Sequence, residues 1–536
     1  MASSSDSLTI SSFLSAFKPT SLSGIVNALG LAVAVYLTHW VLYSIYLVYL
    51  SPLRNIPGPK SWVVLPLLRH ISALRGTMDI DCRRYFNYYK TDALRIGPHD
   101  VIFNSAPAWQ DIYGHGHTPQ LPKSLFRTQP KETHHIIFSD DANHTRFRRT
   151  LAHAFSEKSL REQEPLLQKY VNLFIERLGD MADKGTPINM TAWYNYITFD
   201  IIGDLSFGQS FGCLETSSYH WWVSNINNML KHGQFLRMAY EYPLIVRFLA
   251  LFQSKALLTA RENTYALSRE RVGQRLNNES QAGRNDFIDF MQRHKGDSEG
   301  LTQSEMVSNM FILIIAGSET TASLLVGVTY WLIHRPDTLR RATEEVRSTF
   351  KDEDEISVQA VNTKLPYLVA CLQEGLRIYP PVPGNLDRTT YEDGLIAGHP
   401  IPKGTNVSVH QSGAYWSESN FRHATEFIPD RWLPAALEDP TNEFYNDQRR
   451  VHEPFHIGPR NCIGRNLALA EMRIIMARVL YNFDLEFAPS MLAPRPELGG
   501  RTFADTWATE QKATVVWSKP DMEIVLKRAK PVVKVG

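Results

Sequence analysis

From Ile25 to Leu50 the chain reads IVNALGLAVAVYLTHWVLYSIYLVYL and contains no Lys, Arg, Asp or Glu. About 20 helical residues cross a hydrocarbon core, so this run predicts a transmembrane helix over 25–50. It is too long for the apolar core of a cleaved signal peptide, and bulky Tyr, Leu and Trp fill its end, which reads as an uncleaved signal anchor. A second apolar run follows Leu301. TQSE predicts a capping box, with Thr302 as N-cap and Glu305 three residues on, and Pro336 marks the far limit. About 32 residues of helix would reach roughly 50 Å. Ser304, Ser308, Asn309, Ser318, Thr320 and Thr321 interrupt its apolar surface, and Glu319 stands at mid-length. Carboxylates are costly inside a bilayer, so this run predicts the central helix of a soluble domain.

Helical periodicity also covers 144–183, 190–208, 218–279 and 337–350. ALRIGPHDVIFNSA predicts strand, turn and strand around Gly97-Pro98, and shorter strand signals recur near 385–410 and 512–527. Residues 114–135 are polar and irregular, and there is no internal repeat. The expected fold is mainly α with small β-sheets (α+β). Its expected organisation is a lumenal tail over 1–24, the anchor over 25–50, a proline-rich hinge over 51–60 and one domain over 61–536. Pro57 and Pro59 favour an extended, stiff hinge. Lys18 stands near Asp6 before the span, whereas Arg54, Lys60 and Arg69 follow it, so the positive-inside rule places the large domain in the cytoplasm.

Composition narrows the function. With 536 residues, 43% hydrophobic and 21% charged, the chain is ordinary globular protein, and a net charge of +1 gives no sign of a nucleic-acid partner. The four cysteines are far apart and form no CxxC, which argues against a zinc site or a disulfide framework. Cys82, Cys213 and Cys371 read as small buried hydrophobes. Sequons at Asn189, Asn278 and Asn406 would stay unmodified in a cytoplasmic domain.

Cys462 differs, because FHIGPRNCIG sets it among glycines just before the helical run RNLALAEMRIIMARVLYNF. A permanent thiolate ligand needs backbone donors and a helix N-terminus near the sulfur. Gly458 and Gly464 permit a tight loop close to a flat ligand. Arg460 supplies a fixed cation for a carboxylate, and Phe455 an aromatic surface. One cysteine without zinc partners points to a single axial ligand, as in haem-thiolate sites.

At these residues the sequence resembles the cytochrome P450 family. Phe455, Gly458, Arg460, Cys462 and Gly464 fill the fixed positions of its FxxGxRxCxG loop. QEGLR carries Glu374 and Arg377, and FIPDRW carries Arg431; the resemblance makes these three a buried structural triad, with Asp430 where the family often has Glu. In AGSETT, Glu319 and Thr320 match the acid–alcohol pair that supplies protons for O–O cleavage; hydroxyls bonding back to their own helix are the alternative. HTRFRR places His144 and Arg148 where the family binds haem propionates, and Arg388 resembles a further propionate arginine.

The resemblance spans about residues 53–530 and implies a haem-thiolate monooxygenase holding haem b (iron protoporphyrin IX) through Cys462. It resembles most the fungal endoplasmic-reticulum members of secondary metabolism. The chain has no dinucleotide fingerprint or flavin segment, so the resemblance implies a membrane-bound NADPH–cytochrome P450 reductase as electron donor, with cytochrome b5 as a second donor. Arg146, Arg149, Arg449, Arg450, Arg465 and Arg473 are the expected docking cations. Substrate contacts are expected within 114–135, 210–245, 309–321 and 382–388, with Phe311, Ile315, Ala316, Val382 and Leu386 as candidates. Such side chains suit a lipophilic polyketide, terpenoid or alkaloid. Two alternatives are a haem-thiolate isomerase or dehydratase needing no reductase, against which an intact Glu319–Thr320 pair argues, and a haem sensor or electron carrier.

Overall fold

The computed structural model describes residues 22–116, 119–124, 135–222, 242, 255–278, 283–292, 300–509 and 511–529. Parts of the expected substrate segments 114–135 and 210–245, much of the helix expected over 218–279, and most of the expected tail 1–24 lie outside the described residues.

Helix α1 (Leu22–Ile45) runs into a π turn at Tyr46–Leu50. Together they give a mostly apolar span of 29 residues, long enough to cross a membrane, with side chains such as Leu29, Val35, Tyr36 and Leu42 standing in the open. Its end is fastened to the domain. Trp40 Nε1 donates to Val64 O at 3.1 Å, and Arg95 donates through Nη1 to Leu47 O at 2.9 Å and through Nε to Gly97 O at 3.1 Å. A 3-10 turn, Pro52–Asn55, precedes the IPGPK segment, in which Ile56 and Pro59 are extended and Arg95 N donates to Pro57 O at 2.8 Å.

Among the described residues nine strands form three sheets. They are β1 (Ala93–Arg95), β2 (Asp100–Phe103), β3 (Ile188–Asn189), β4 (Arg388–Thr389), β5 (Gly394–Ile396), β6 (His399–Ile401), β7 (Asn406–Val409), β8 (Phe483–Phe487) and β9 (Glu523–Arg528). The order β1-β2-β7-β4 builds the largest sheet, with β1 and β2 antiparallel across the predicted Gly97-Pro98 turn and Leu94 opposite Ile102. Strand β2 runs parallel to β7, which pairs antiparallel with β4 and so positions Arg388. A second sheet has the order β3-β9-β8, and β5-β6 is a hairpin. Strand β8 was hidden from the pattern because it continues directly from a helix.

The site rests on helices α2 (Ala106–Tyr113), α3 (Asp141–Ala152), α4 (Glu157–Lys184), α5 (Met190–Phe207), α6 (Gln303–His334), α7 (Pro366–Ile378) and α8 (Arg465–Asn482). The single helix expected over 144–183 is two. A 3-10 turn at His153–Phe155 ends α3, and Ser156 caps α4 by accepting from Ser159 N at 3.2 Å. Both halves of the predicted Thr302–Glu305 capping box are present on α6. The most apolar stretch of α6 is 72% buried, so the second apolar run is a core helix as expected. It packs on α5, which is buried over its whole length. Gly317 marks the closest approach, since a Cβ there would sit 2.8 Å from Ile202 Cδ1. Two of the sequon asparagines have structural work: Asn189 caps α5 and Asn406 donates to Asp100 Oδ1 at 3.0 Å.

Candidate active site

The Cys462 loop closes on itself. Cys462 N donates to Phe455 O at 2.8 Å and Asn461 N to Gly458 O at 3.1 Å. Gly458 has φ +76°, and a Cβ there would lie 1.8 Å from Tyr113 O, so α2 and backbone handedness both require glycine. Gly464 differs from expectation. Its φ is −84° and a Cβ would meet only Phe155 at 3.8 Å, so the polypeptide turn itself does not demand glycine there. Phe455 packs under Arg465, whose guanidinium stands 5.8 Å from the ring.

Cys462 presents open surface, unlike Cys82, Cys213 and Cys371, which are buried. Burial still dominates its surroundings and pushes the thiol up. The Gly464 amide donating to sulfur, then Arg148 and Arg465, pull the other way. Open surface with buried electrostatics describes a sulfur in an internal recess. It sits at the base of α8 with donors and cations that favour thiolate.

Helix α6 has a less buried face at mid-length. Within a buried helix, Ile312, Ile315, Ala316 and Thr320 form one less buried stripe at i, i+3, i+4 and i+8 spacing, and Ala316 is exposed at mid-length. Thr320 Oγ1 donates to Ala316 O at 2.6 Å, so its hydrogen is committed to the helix and its lone pairs remain to accept. Glu319 lies off that stripe, buried, and its Oε2 takes a hydrogen bond from Lys519 Nζ at 2.5 Å. The acid and alcohol are adjacent in sequence but make no hydrogen bond to each other.

Candidate propionate ligands gather around α3 and β4. Arg460 Nη2 donates to Ser139 O at 2.9 Å and Asp141 Oδ1 at 2.8 Å, while its Nη1 is buried with no hydrogen-bond partner among the described residues. Arg388 is buried over the Tyr113 ring. Burial, with Arg460, Lys123 and Arg148 adding to it, pushes His144 down to about 3, so it is neutral and can donate only from its protonated nitrogen. Arg148 reaches the cysteine loop: Nη1 donates to Asn461 O at 2.7 Å and Nη2 to Asn461 Oδ1.

Lys123, which no motif marks, joins this cluster. It bridges to Arg388 as a β partner and donates to Ile137 O at 2.5 Å. Burial, then Arg388 and Arg460, push it well below the usual lysine range. Arg388 and Arg460 stand beside Asp141 and Asp387, and burial with these two cations holds Lys123 low. An orphaned guanidinium nitrogen, and a lysine that regains its proton once an anion is bound, fit an anionic cofactor edge. Together with the thiol in its recess, these residues fit haem.

The expected triad is complete and fully buried. Arg377 donates through Nε to Glu374 Oε2 at 2.9 Å and through Nη2 to Oε1 at 2.7 Å, and Arg431 Nε reaches Oε1 at 3.1 Å. Ile428 N at 2.9 Å and Trp432 Nε1 at 2.8 Å also donate to Glu374. Asp430, the departure from the family pattern, pairs at the surface with Arg341 at 2.7 Å.

The candidate substrate residues separate. Ile315 and Ala316 are on the less buried stripe, Val382 is half-buried and Leu386 is 41% exposed. Phe311 is more buried, 6.0 Å from Trp222 and 4.9 Å from Tyr265 by ring centroids. Of the docking cations, Arg146 pairs with Glu305 and Arg449 is spent on carbonyls including Arg431 O at 2.8 Å. Arg149, Arg450 and Arg465 stay exposed, and Arg473 is half-buried.

The family model for cytochrome P450 matches residues 56–503. Cytochrome P450 monooxygenase olcB of Penicillium canescens is 41% identical over 94% of this chain and 99% of its own length. A trichothecene C-4 hydroxylase of Trichoderma arundinaceum is 41% identical over 92% of this chain and 97% of its own. An averantin hydroxylase of Dothistroma septosporum is 39% identical, with coverage of 94% and 92%.

Proposed function

This chain belongs to the cytochrome P450 family, and we propose that it is a reductase-dependent, membrane-anchored monooxygenase of fungal secondary metabolism. It places one oxygen atom of O2 on a lipophilic polyketide, terpenoid or alkaloid. Haem-thiolate monooxygenase chemistry is the family's. The finer assignments rest on the geometry around Cys462, and the observation that carries them is its sulfur, held by the Gly464 amide between Arg148 and Arg465.

Bound haem, ligated through Cys462 Sγ, supplies O2 activation. Cys462 gives up its thiol proton to ligate, and the Gly464 amide with the two arginines stabilises the charge left on sulfur. Arg148 keeps the loop in register through Asn461. Arg388, Arg460 and Lys123 neutralise the propionates, and His144 donates one neutral hydrogen bond. Ile312, Ile315 and Ala316 give the substrate an apolar wall that excludes water. Thr320 Oγ1 accepts a proton-bearing hydrogen bond while its own hydrogen stays on Ala316 O, and Glu319 feeds protons toward it.

Helix α1 anchors the domain to the endoplasmic-reticulum membrane, with the domain on the cytosolic side by flanking charge. Electrons come from NADPH–cytochrome P450 reductase, with cytochrome b5 as a second donor, and Arg149, Arg450 and Arg465 are the exposed cations for docking them. Two relatives are named for a trichothecene and for averantin, so kinship alone does not choose the scaffold.

Two variants test the reading. Cys462→Ala is expected to abolish the thiolate-type spectrum of the reduced carbon monoxide complex; a spectrum that persists overturns it. Thr320→Ala is expected to keep that spectrum and to divert NADPH electrons to peroxide at least several-fold, read as peroxide formed per NADPH oxidised. Unchanged coupling would remove the relay role.

A further inference from the structure

Glu319 is pinned by a residue 200 positions away in sequence. Lys519, in the turn before β9, donates to Glu319 Oε2 at 2.5 Å, to Glu319 O at 3.4 Å and to Asn195 Oδ1 at 3.3 Å. The two side chains are 5% and 2% exposed, so water does little to screen the pair. Asn195 Nδ2 in turn donates to Tyr219 OH at 3.0 Å, and Tyr219 is 38% exposed. The ion pair thus joins α5, α6 and the C-terminal turn beneath a solvent-facing tyrosine. Glu319 Oε1 is buried and accepts no hydrogen bond among the described residues. A buried carboxylate with one oxygen paired and the other unpartnered is costly unless the free oxygen has a use.

We propose that Lys519 is the positioning residue of the oxygen-helix acid: it fixes Glu319 by Oε2 and leaves Oε1 as the oxygen that exchanges protons. The inference rests on the relay reading of Glu319 and Thr320. In each cycle Oε1 takes one proton from a water that solvent reprotonates, and gives it to a second water whose hydrogen bond Thr320 Oγ1 accepts. The final acceptor of that proton is the O2 that the NADPH electrons reduce, and Lys519 only holds Oε2. Without its cation, Glu319 would keep its proton, because burial penalises the charge once the partner is gone.

The test uses full-length holoenzyme with reductase and no substrate. Two quantities are read: the infrared carboxyl signature of Glu319, by difference against Glu319→Gln, and peroxide formed per NADPH. Lys519→Met is expected to replace the Glu319 carboxylate band with a protonated-acid band and to raise peroxide several-fold, with the thiolate-type carbon monoxide spectrum intact. Lys519→Arg is expected to restore both. If Lys519→Met loses haem, Lys519→Gln, which keeps hydrogen bonding without charge, decides by the same readouts. A carboxylate band or peroxide yield unchanged in the uncharged variant overturns the proposal. Unchanged peroxide in Thr320→Ala would instead overturn the relay reading beneath it, so the two failures are distinguishable.

Discussion

Glu374→Ala is expected to destabilise the folded chain by about 3–5 kcal/mol, the usual cost of removing one partner from a buried ion pair. Two guanidinium groups, on Arg377 and Arg431, would stay in the core at 0% exposure with no carboxylate between them. Arg377 also donates to the carbonyls of Tyr415, Ala424 and Glu426, and Arg431 pairs with Asp447, so the disturbance spreads into the loop that precedes the cysteine. Thermal melting of the holoenzyme and its haem content measure the loss, and a melting temperature within a degree of the parent would refute the account. Acid should act on the same bond. Burial works to raise the Glu374 carboxyl, but Arg377, Arg431 and the Ile428 amide outweigh it and hold it below its ordinary 4.5. A depressed folded value means the contribution is complete above the unfolded value and fades as pH falls below about 4.5 toward the folded one.

Gly458→Ala is expected to be nearly as severe, through the loop rather than the core. A left-handed residue with a Cβ costs roughly 1–2 kcal/mol. Here the added atom would also stand 1.8 Å from Tyr113 O, a backbone atom at the end of α2 that cannot rotate aside. Overpacking adds roughly 1–3 kcal/mol and must displace one segment. The segment with less packing is the loop, so Cys462 moves. Reduced haem occupancy and a weakened thiolate-type spectrum at preserved helical content would report this. Gly464→Ala, with only Phe155 at 3.8 Å, is the control for polypeptide strain alone.

What the sequence disclosed followed from how local each signal is. The cysteine loop, Glu374 with Arg377, and the α6 capping box each fit within ten residues, so spacing alone exposed them. The strand pair around Gly97-Pro98 was readable for the same reason. Lys123 and Lys519 were not, because each meets its partners only through the tertiary fold: Lys123 through a bridge to Arg388, Lys519 across 200 residues to Glu319. The Arg148 contact with Asn461 also needed three dimensions, since no motif pairs those two residues. Phe311 shows the converse: it shares a helix face with Ile315, yet only the fold shows it packed against Trp222 and Tyr265. Ser156 divided one periodic stretch into two helices because a serine cap outweighs continued periodicity.

The Arg95 guanidinium gives the membrane end of the molecule a rigid bracket. By gripping Leu47 O, Gly97 O and Pro98 O at once, it converts what could have been a swivel into a fixed mounting. On the proposed anchoring, the lean of α1 in the lipid would dictate how high the catalytic body rides above the bilayer and which way it faces.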